Sequence, residues 1–452
     1  MRRARRVELV SLVGEPGIGK SRLVRELARH AAADAQVLIG HCPAYGDGVT
    51  YWPLRGMVLQ AVRGRTLASV MPATHDGRTA AATIAATVGL GGEASADAAP
   101  WAFRMLLAAL AAHKALVLAF EDAHWAEPAL LDLIDQLADG PLAAPVLLLC
   151  VGRPELLAAR PAWAAGTVLR PAALDEEGSR RLLSARPPLP EPALGRVVAR
   201  ARGNPLFLEQ LAAHVRERAA DSSLPPALHA LLAARLDGLD AAERRVIQAG
   251  AIEGETFHVG GVEALVPGPG TAGVQAALDA LVRRELVRPA FPFIAGQRAF
   301  RFWHALVREA AYEAMPLATR ADAHERLAQW LVDLGGAVPE ASARIGTQLE
   351  RAHRAASELR VPAPRLEALA HAAAARLAEA AERVHRRGDL PSEIAFLERA
   401  MALLAPGDRA REELLPAMGT ALFEVSSLER AQRVADEAAA SGIERVRLRG
   451  EV

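Results

Sequence analysis

The stretch that decides the fold reads Gly14-Glu15-Pro16-Gly17-Ile18-Gly19-Lys20-Ser21. It follows an apolar run, Val7–Val13, and opens a helical pattern over Arg22–Ala32. A strand, a glycine-rich loop and a helix in this order are typical of a phosphate-binding loop. The glycines let successive backbone N–H groups turn inward at a helix N-terminus, where the helix dipole also favours negative charge. The stretch therefore predicts a nucleotide-binding site.

Lysine usage supports this prediction over a chance glycine turn. The chain has 53 Lys plus Arg, yet lysine occurs only at Lys20 and Lys114. A compact ammonium at the required position can reach the β- and γ-phosphates, and the Ser21 hydroxyl can bind Mg²⁺. The residues expected to contact the nucleotide here are Gly14, Glu15, Pro16, Gly17, Ile18, Gly19, Lys20, Ser21 and Arg22.

Composition limits the class of protein. The chain has 452 residues, which predicts two to four domains, and its 53 basic residues balance 53 acidic ones. Balanced charge favours neither a nucleic-acid binder nor a membrane-surface protein. Cys42 and Cys150 are too few for a disulfide framework and fit a reducing cytoplasm. No apolar run is long enough to span a bilayer, and the basic start leads into the glycine loop rather than a cleavage site. We therefore expect a cytoplasmic protein.

Strand and helix patterns alternate over the first 170 or so residues, which predicts a parallel sheet covered by helices on both faces. The expected strands are apolar runs, as strands buried on both faces should be. They are Val7–Val13, Gln36–Gly40, Ala115–Phe120, Val146–Val151 and Thr167–Leu169. A long insertion, residues 41–112, separates the second strand from the third.

The third strand ends in two acidic residues, Glu121 and Asp122. A strand that delivers carboxylates beside a phosphate loop predicts the second half of an NTPase site. One carboxylate should hold Mg²⁺ and the other should orient or deprotonate the attacking water, but the sequence leaves open which does which. The alternative is an ordinary acidic turn. After the fourth strand, Arg153 is either a sensor of the γ-phosphate or a surface arginine. The catalytic candidates are therefore Lys20, Glu121, Asp122 and, if it is a sensor, Arg153.

From Asp175 onward the pattern is helical. The turn Gly203-Asn204-Pro205 is explained by helix capping alone. Beyond a linker at 221–226, three helical patterns precede two extended runs, Leu286–Pro289 and Ala299–Phe302, an arrangement typical of a winged helix. Its third helix is mostly apolar, which favours packing within the protein over DNA contact.

The rest of the chain, from Ala318, is an alanine-rich series of amphipathic helices. Breaks at Arg387–Leu390 and Val425–Leu428 suggest degenerate helix hairpins of the tetratricopeptide kind. Taken together, the fold prediction is an α/β P-loop NTPase core, a helical lid, a winged helix and incomplete α-helical tetratricopeptide-like repeats. The expected domains are residues 1–172, 173–222, 223–316 and 317–452.

Over residues 7–335 the chain resembles the STAND class of P-loop ATPases, in particular the AAA-like ATPase regions of bacterial cyclase-linked or LuxR-type signalling proteins. The resemblance rests on an ordered set of motifs. Besides the loop, these are YWPL at 51–54, EDAHW at 121–125, GRPE at 152–155, GNPLF at 203–207 and RFWHALVR at 301–308. The loop alone is shared by many NTPases, whereas the ordered set is far more specific.

The resemblance implies roles that the residues alone do not. Pro205 becomes a candidate contact of the adenine base, and His304 a candidate contact of the β-phosphate of ADP. It also implies a slow ATPase that works as a switch and can form a nucleotide-dependent oligomer. In such a switch ADP holds the lid and winged helix closed, ATP opens them, and the repeats sense a protein partner or inducer.

Two departures from the family are visible. Only six residues precede the first strand, where the family carries a segment that helps to hold adenine, so weakened affinity is expected. Neither a cyclase catalytic domain nor a terminal helix-turn-helix is recognisable, so a fragment of a larger protein is expected. Two other functions stay open: a helical-repeat interaction scaffold with a non-functional nucleotide site, and a DNA-binding transcriptional regulator.

Overall fold

The computed structural model describes residues 6–42, 50–91, 98–217, 228–266, 268, 270–338, 340–444 and 446–447. The linker predicted at 221–226 and residues 1–5 of the basic start lie outside these ranges. The chain divides into two compact units. The first comprises Met1–Ala172 and Ala381–Ala395, and the second comprises Ala173–Ala380 and Phe396–Val452. The sequence did not indicate that a piece of the C-terminal helical region belongs with the first unit.

The first unit is built on a five-stranded parallel sheet. Its strands are β1 (Val7–Val13), β2 (Ala35–His41), β3 (Ala115–Glu121), β4 (Val146–Gly152) and β5 (Thr167–Leu169). Their order across the sheet is β2-β3-β4-β1-β5. All five predicted strands and the parallel sheet are therefore confirmed. Because β4 pairs with both β1 and β3, it lies between the strand that precedes the glycine loop and the strand that ends in the carboxylates.

Helices pack on both faces of this sheet. They are α1 (Lys20–Ala31), α2 (Trp52–Val62), α3 (His75–Thr87), α4 (Ala99–Ala111), α5 (Pro128–Asp139) and α6 (Glu155–Ala159). All seven residues of β3 are buried, as expected for a strand covered on both sides. Successive side chains of β3 pack on opposite faces of the sheet. Phe120 lies in the large core with Phe103 and Ile134, whereas Ala119 packs with Val24 of α1.

The second unit is mostly helical. It contains α7 (Glu176–Ser184), α8 (Glu191–Ala201), α9 (Pro205–Glu217), α10 (Leu228–Asp237), α11 (Ala241–Glu253), α12 (Val259–Leu265), α13 (Gly270–Arg283), α14 (Ala305–Glu313), α15 (Leu317–Leu334), α16 (Ala341–Glu358), α19 (Arg409–Glu424) and α20 (Leu428–Ala439). Two further helices, α17 (Ala363–His385) and α18 (Leu390–Ala402), are divided between the two units. Both predicted helix breaks are present, between α17 and α18 and between α19 and α20.

A small antiparallel sheet lies among these helices. The strands β6 (Thr256–His258), β7 (Val287–Ala290) and β8 (Ala299–Phe302) pair in the order β6-β8-β7. The two extended runs predicted at Leu286–Pro289 and Ala299–Phe302 are confirmed as β7 and β8, which pair antiparallel, whereas β6 was not predicted. Phe257 of β6 is fully buried with its ring centroid 5.2 Å from that of Phe302, so aromatic packing holds the short strand in place. The winged-helix and repeat assignments stay predictions.

Among the described residues, no helix combines the length and apolarity that crossing a bilayer requires.

Candidate nucleotide-binding site

The glycine loop joins β1 to α1 with two residues in the left-handed region. Gly17 has φ 80° and Gly19 has φ 101°, conformations that other residues rarely adopt. Gly19 is the N-cap of α1 and has no side chain. The N–H groups of the first helical turn therefore donate no hydrogen bond to a side chain of the capping residue. Backbone donors at a helix N-terminus can bind an anion. The predicted order of strand, glycine loop and helix is present, and phosphate binding by the loop stays a prediction.

Lys20 holds its ammonium over the loop. Its Nζ donates hydrogen bonds to the carbonyl oxygens of Gly14 at 2.6 Å and Glu15 at 3.0 Å. Partial burial lowers the pKa of Lys20, and the nearby positive charge of Arg153 acts in the same direction, while the carboxylate of Asp122 opposes both. The loop's lysine, the acid after β3 and the arginine after β4 therefore interact electrostatically, although they are far apart in sequence.

The two predicted carboxylates differ in their surroundings. Glu121 is the last residue of β3 and is only 8% exposed. Asp122 follows in the left-handed region with φ 53°, and its side chain is 36% exposed. The Asp122 Oδ2 lies 3.4 Å from Nδ1 of His41, the last residue of β2. The Asp122 carboxylate is among the charges that act on the Lys20 ammonium.

The end of β4 connects the loop with the segment after β3. The N–H of Gly14 donates to the carbonyl oxygen of Gly152 at 3.3 Å, and the N–H of Arg153 donates to Nδ1 of His124 at 3.4 Å. The Arg153 guanidinium also lies 6.0 Å from the ring centroid of Trp125, a cation–π distance. Backbone and side chain thus place Arg153 between the two halves of the site.

His124 was not among the residues predicted for the site, although it lies inside the EDAHW motif. Burial lowers its pKa to about 4, and Arg153 adds to the effect, so the ring is neutral near pH 7. Because Nδ1 accepts the N–H of Arg153, the ring proton is on Nε2, which has no hydrogen-bond partner in the described part of the chain. His124 therefore offers a neutral donor close to Lys20.

Metal-binding oxygens are present on this edge of the sheet. The Ser21 side chain is exposed at the start of α1, and Glu121 and Asp122 supply carboxylates. Hydroxyl and carboxylate oxygens are the ligands that Mg²⁺ prefers, and Mg²⁺ usually keeps several waters. The donor set therefore fits Mg²⁺. Arg22 is also exposed, and its Nε forms an ion pair of 3.3 Å with Glu26.

Pro205 and His304 belong to the second unit, where each position has a local structural explanation. Before Pro205, the Asn204 Oδ1 accepts the N–H of Phe207 at 3.1 Å, a capping interaction at the start of α9. Gly203 has φ 74°, and a Cβ there would lie 2.1 Å from the Leu174 carbonyl oxygen, so glycine is required. His304 is the N-cap of α14, and its Nδ1 accepts the N–H of Leu306 at 3.1 Å. Contacts of Pro205 and His304 with a nucleotide stay predictions.

Residues 1–149 match the family described as the AAA ATPase domain. This part of the first unit is therefore similar to an AAA ATPase domain. The match includes the glycine loop, the acidic pair and His124, and it ends in β4, before Arg153.

One curated relative is an uncharacterized protein of Rhizobium meliloti (strain 1021), 31% identical over 371 residues that cover 71% of this chain and 34% of that protein. The chain thus spans about a third of the length of this relative. Among solved structures, Drosophila ORC bound to DNA is 15% identical, with 69% of this chain and 81% of that chain covered at a TM-score of 0.30. A mutant RuvB of Thermotoga maritima is 14% identical, with 63% and 83% covered at a TM-score of 0.28. Likenesses this low carry no weight for function.

Proposed function

We propose that the chain binds ATP and ADP with Mg²⁺ at the loop of residues 14–21, hydrolyses ATP slowly, and acts as a nucleotide-dependent regulatory switch of the STAND type. The observation that carries the proposal is the position of Lys20, whose ammonium rests on the loop carbonyls and interacts with Asp122. The AAA ATPase match supports the nucleotide class. The switch and the slow rate are supported by the resemblance of the ordered motifs to STAND ATPases.

Each residue has a distinct task in this proposal. The N–H groups at the start of α1 bind phosphate oxygens, and Lys20 exchanges its contacts with Gly14 and Glu15 for contacts with the β- and γ-phosphates. Ser21 and Asp122 would hold Mg²⁺, which offsets phosphate charge when bound. Glu121 orients the attacking water, and Arg153 neutralises charge that develops on the γ-phosphate. The nearly buried position of Glu121 supports its assignment to water rather than to the metal.

Measuring the affinity for ATP and ADP by calorimetry in wild type and Lys20→Ala tests the nucleotide site. Losing a hydrogen bond from a charged donor costs about 1.5–3 kcal/mol, so we expect affinity to fall by about tenfold to over a hundredfold. The matched control is Lys114→Ala, which removes the only other lysine, at the residue before β3 begins. Its affinity should equal that of wild type. Equal affinities in all three proteins would instead favour an interaction scaffold with a non-functional site.

A further inference from the structure

A largely buried polar cluster lies within the first unit and links its sheet-containing part to the segment Ala381–Ala395 of the same unit. It consists of Thr50, Glu127, Asp389 and Ser392, and the last two belong to the segment Ala381–Ala395 that contains the turn between α17 and α18. Thr50 is 3% exposed, Asp389 8% and Ser392 1%. Polar groups this deeply buried are costly unless they are bonded, so the cluster needs an explanation.

Hydrogen bonds connect the two sides of the cluster. The Thr50 hydroxyl donates to Oε2 of Glu127 at 2.7 Å, and the Ser392 hydroxyl donates to the same oxygen at 3.1 Å. The two hydroxyl groups also contact each other. Within the turn, the N–H of Ser392 donates to Oδ1 of Asp389 at 3.2 Å. Glu127 and Thr50 thus bind a turn that lies far from them in sequence.

Negative charge within the cluster disfavours the docked state of the turn. The pKa of Asp389 is raised to about 6, mainly by burial and also by the negative charge of Glu127, while hydrogen bonding to Ser392 opposes the shift. Near pH 7 Asp389 is therefore mostly ionised beside a second carboxylate, which disfavours the docked state. Further titratable groups near this contact include Tyr51, which interacts with Asp389, Asp132 and Glu127, and the ion pair of His385 with Glu393 at 2.8 Å. The contact is held by hydrogen bonds but opposed by charge.

Both Thr50 and Glu127 are tied to strand ends of the nucleotide site. Glu127 is the N-cap of α5 and follows Asp122 after the 3₁₀ turn Ala123–Trp125. Thr50 precedes α2, and the Gln60 side chain of α2 exchanges hydrogen bonds of 3.1 and 2.6 Å with the backbone of Ile39 in β2. That strand ends at His41, which faces Asp122. A displacement of Asp122 can therefore be transmitted to the cluster through two connections. One runs along the chain to Glu127, and the other runs through His41, β2 and α2 to Thr50.

We propose that the surface formed by Thr50, Tyr51 and Glu127 is a docking site for the turn between α17 and α18, and that exchange of ADP for ATP releases this turn. The second half of the proposal rests on the proposed function. The first half stands on the hydrogen bonds alone.

Hydrogen–deuterium exchange of the backbone amides in residues 386–393 tests the docking, measured on the full chain at one fixed pH near 7.5. Ser392→Ala removes a bond to a carboxylate, so exchange should become about tenfold faster or more. Asp389→Asn keeps the oxygen that accepts the N–H of Ser392 but removes the buried charge, so exchange should become slower. Opposite effects of two changes in one turn would not arise from general loss of folding.

Two matched controls separate the cluster from ordinary helix capping. Asp175→Asn alters an exposed aspartate whose Oδ1 accepts the N–H of Gly178 at 2.7 Å, the same spacing as Asp389 and Ser392. Ser427→Ala alters the N-cap of α20, whose side chain makes no capping bond. Neither should change exchange in 386–393. If Ser392→Ala leaves exchange unchanged, the docking proposal is wrong. If Asp389→Asn accelerates exchange, the charge of Asp389 does not oppose docking, and the Ser392→Ala result decides the docking.

The coupling is tested by exchange in wild type with ADP and with a slowly hydrolysed ATP analogue. Faster exchange of residues 386–393 with the ATP analogue, and no such difference in Lys20→Ala, is the expected result. If calorimetry shows that both nucleotides bind but exchange is the same with each, the coupling is overturned and the nucleotide site stands. If neither nucleotide binds, the proposed function and the coupling both fail, while the Ser392 and Asp389 variants still decide the docking.

Discussion

The Lys20 ammonium donates a hydrogen bond of 2.6 Å to the carbonyl oxygen of Gly14, six positions earlier in the chain. This contact closes the glycine loop on itself, and it requires the backbone to reverse between β1 and α1. The left-handed conformation of Gly19, directly before Lys20, permits that reversal. The loop and its lysine are therefore one structural unit.

We predict that Gly19→Ala weakens nucleotide binding through backbone strain. A Cβ at Gly19 meets no atom within 4 Å, so the cost comes from φ 101° rather than from a clash. Holding a residue other than glycine there costs about 1–3 kcal/mol, which corresponds to about fivefold to over a hundredfold in affinity if the loop relaxes away from its binding geometry. Calorimetric titration with ADP measures the change.

The matched control for this change is Gly56→Ala. Gly56 lies inside α2, and a Cβ there also meets nothing within 4 Å. Alanine is a better helix former by about 1 kcal/mol, so this variant should bind ADP normally and melt at the same or a higher temperature. Equal ADP affinity in the two variants would show that the left-handed residue is not needed for binding.

We predict that Asp122→Asn and Glu121→Gln both lower the rate of ATP hydrolysis. Each change keeps the size of the side chain and removes a charge needed to hold Mg²⁺ or to activate water, and losing a general base typically costs about 10²–10⁴ in rate. Steady-state phosphate release measures turnover. Asp139→Asn, at an exposed carboxylate at the end of α5, should hydrolyse ATP at the wild-type rate. Normal turnover in either of the first two variants removes that carboxylate from the mechanism.

We predict that acid destabilises the second unit through His324. This side chain is fully buried; its Nε2 lies 2.9 Å from the Tyr312 hydroxyl and its Nδ1 lies 2.6 Å from Oε1 of Gln348. Burial lowers its pKa to about 3, and the charge of Arg351 contributes. Protonation of His324 is therefore disfavoured in the folded protein, whereas the unfolded chain binds this proton below about pH 6.5. The stability is fully present above that pH and is lost as the pH falls towards 3, by about 1.4 kcal/mol for each unit.

Urea denaturation between pH 7.5 and 4.5 checks this slope, with the fluorescence of Trp330 on the same helix among the signals. His324→Gln removes the titrating group, so its stability should depend less on pH than that of wild type, whatever its stability at pH 7.5. His75→Gln, at an exposed position in α3, should keep the wild-type slope. A slope unaltered by His324→Gln would assign the acid sensitivity to other groups.

The sequence predicted the strands and the glycine loop of the first unit because each is recognised from residues that are close together along the chain. A strand such as Ala115–Glu121 is apolar along its whole length, and a parallel sheet buried on both faces requires that composition. The loop of Gly14–Ser21 has a sequence motif, in residue type and spacing, that few other structures require. In contrast, β6 has only three residues, and Thr256–His258 carries no period long enough to detect. Its pairing with β8 depends on packing around Phe257.

The sequence by itself determined which residues form the glycine loop between the first strand and its helix, which strand ends in the acids, and where the chain is helical, since each of these depends on neighbours along the chain. Only the tertiary structure decided that β4 lies between the two halves of the site, that Asp122 acts on Lys20, that His124 supports Arg153, and that Ser392 bonds to Glu127. Such contacts join residues far apart in sequence, and they form because strand order and burial bring those residues together, which no local pattern records.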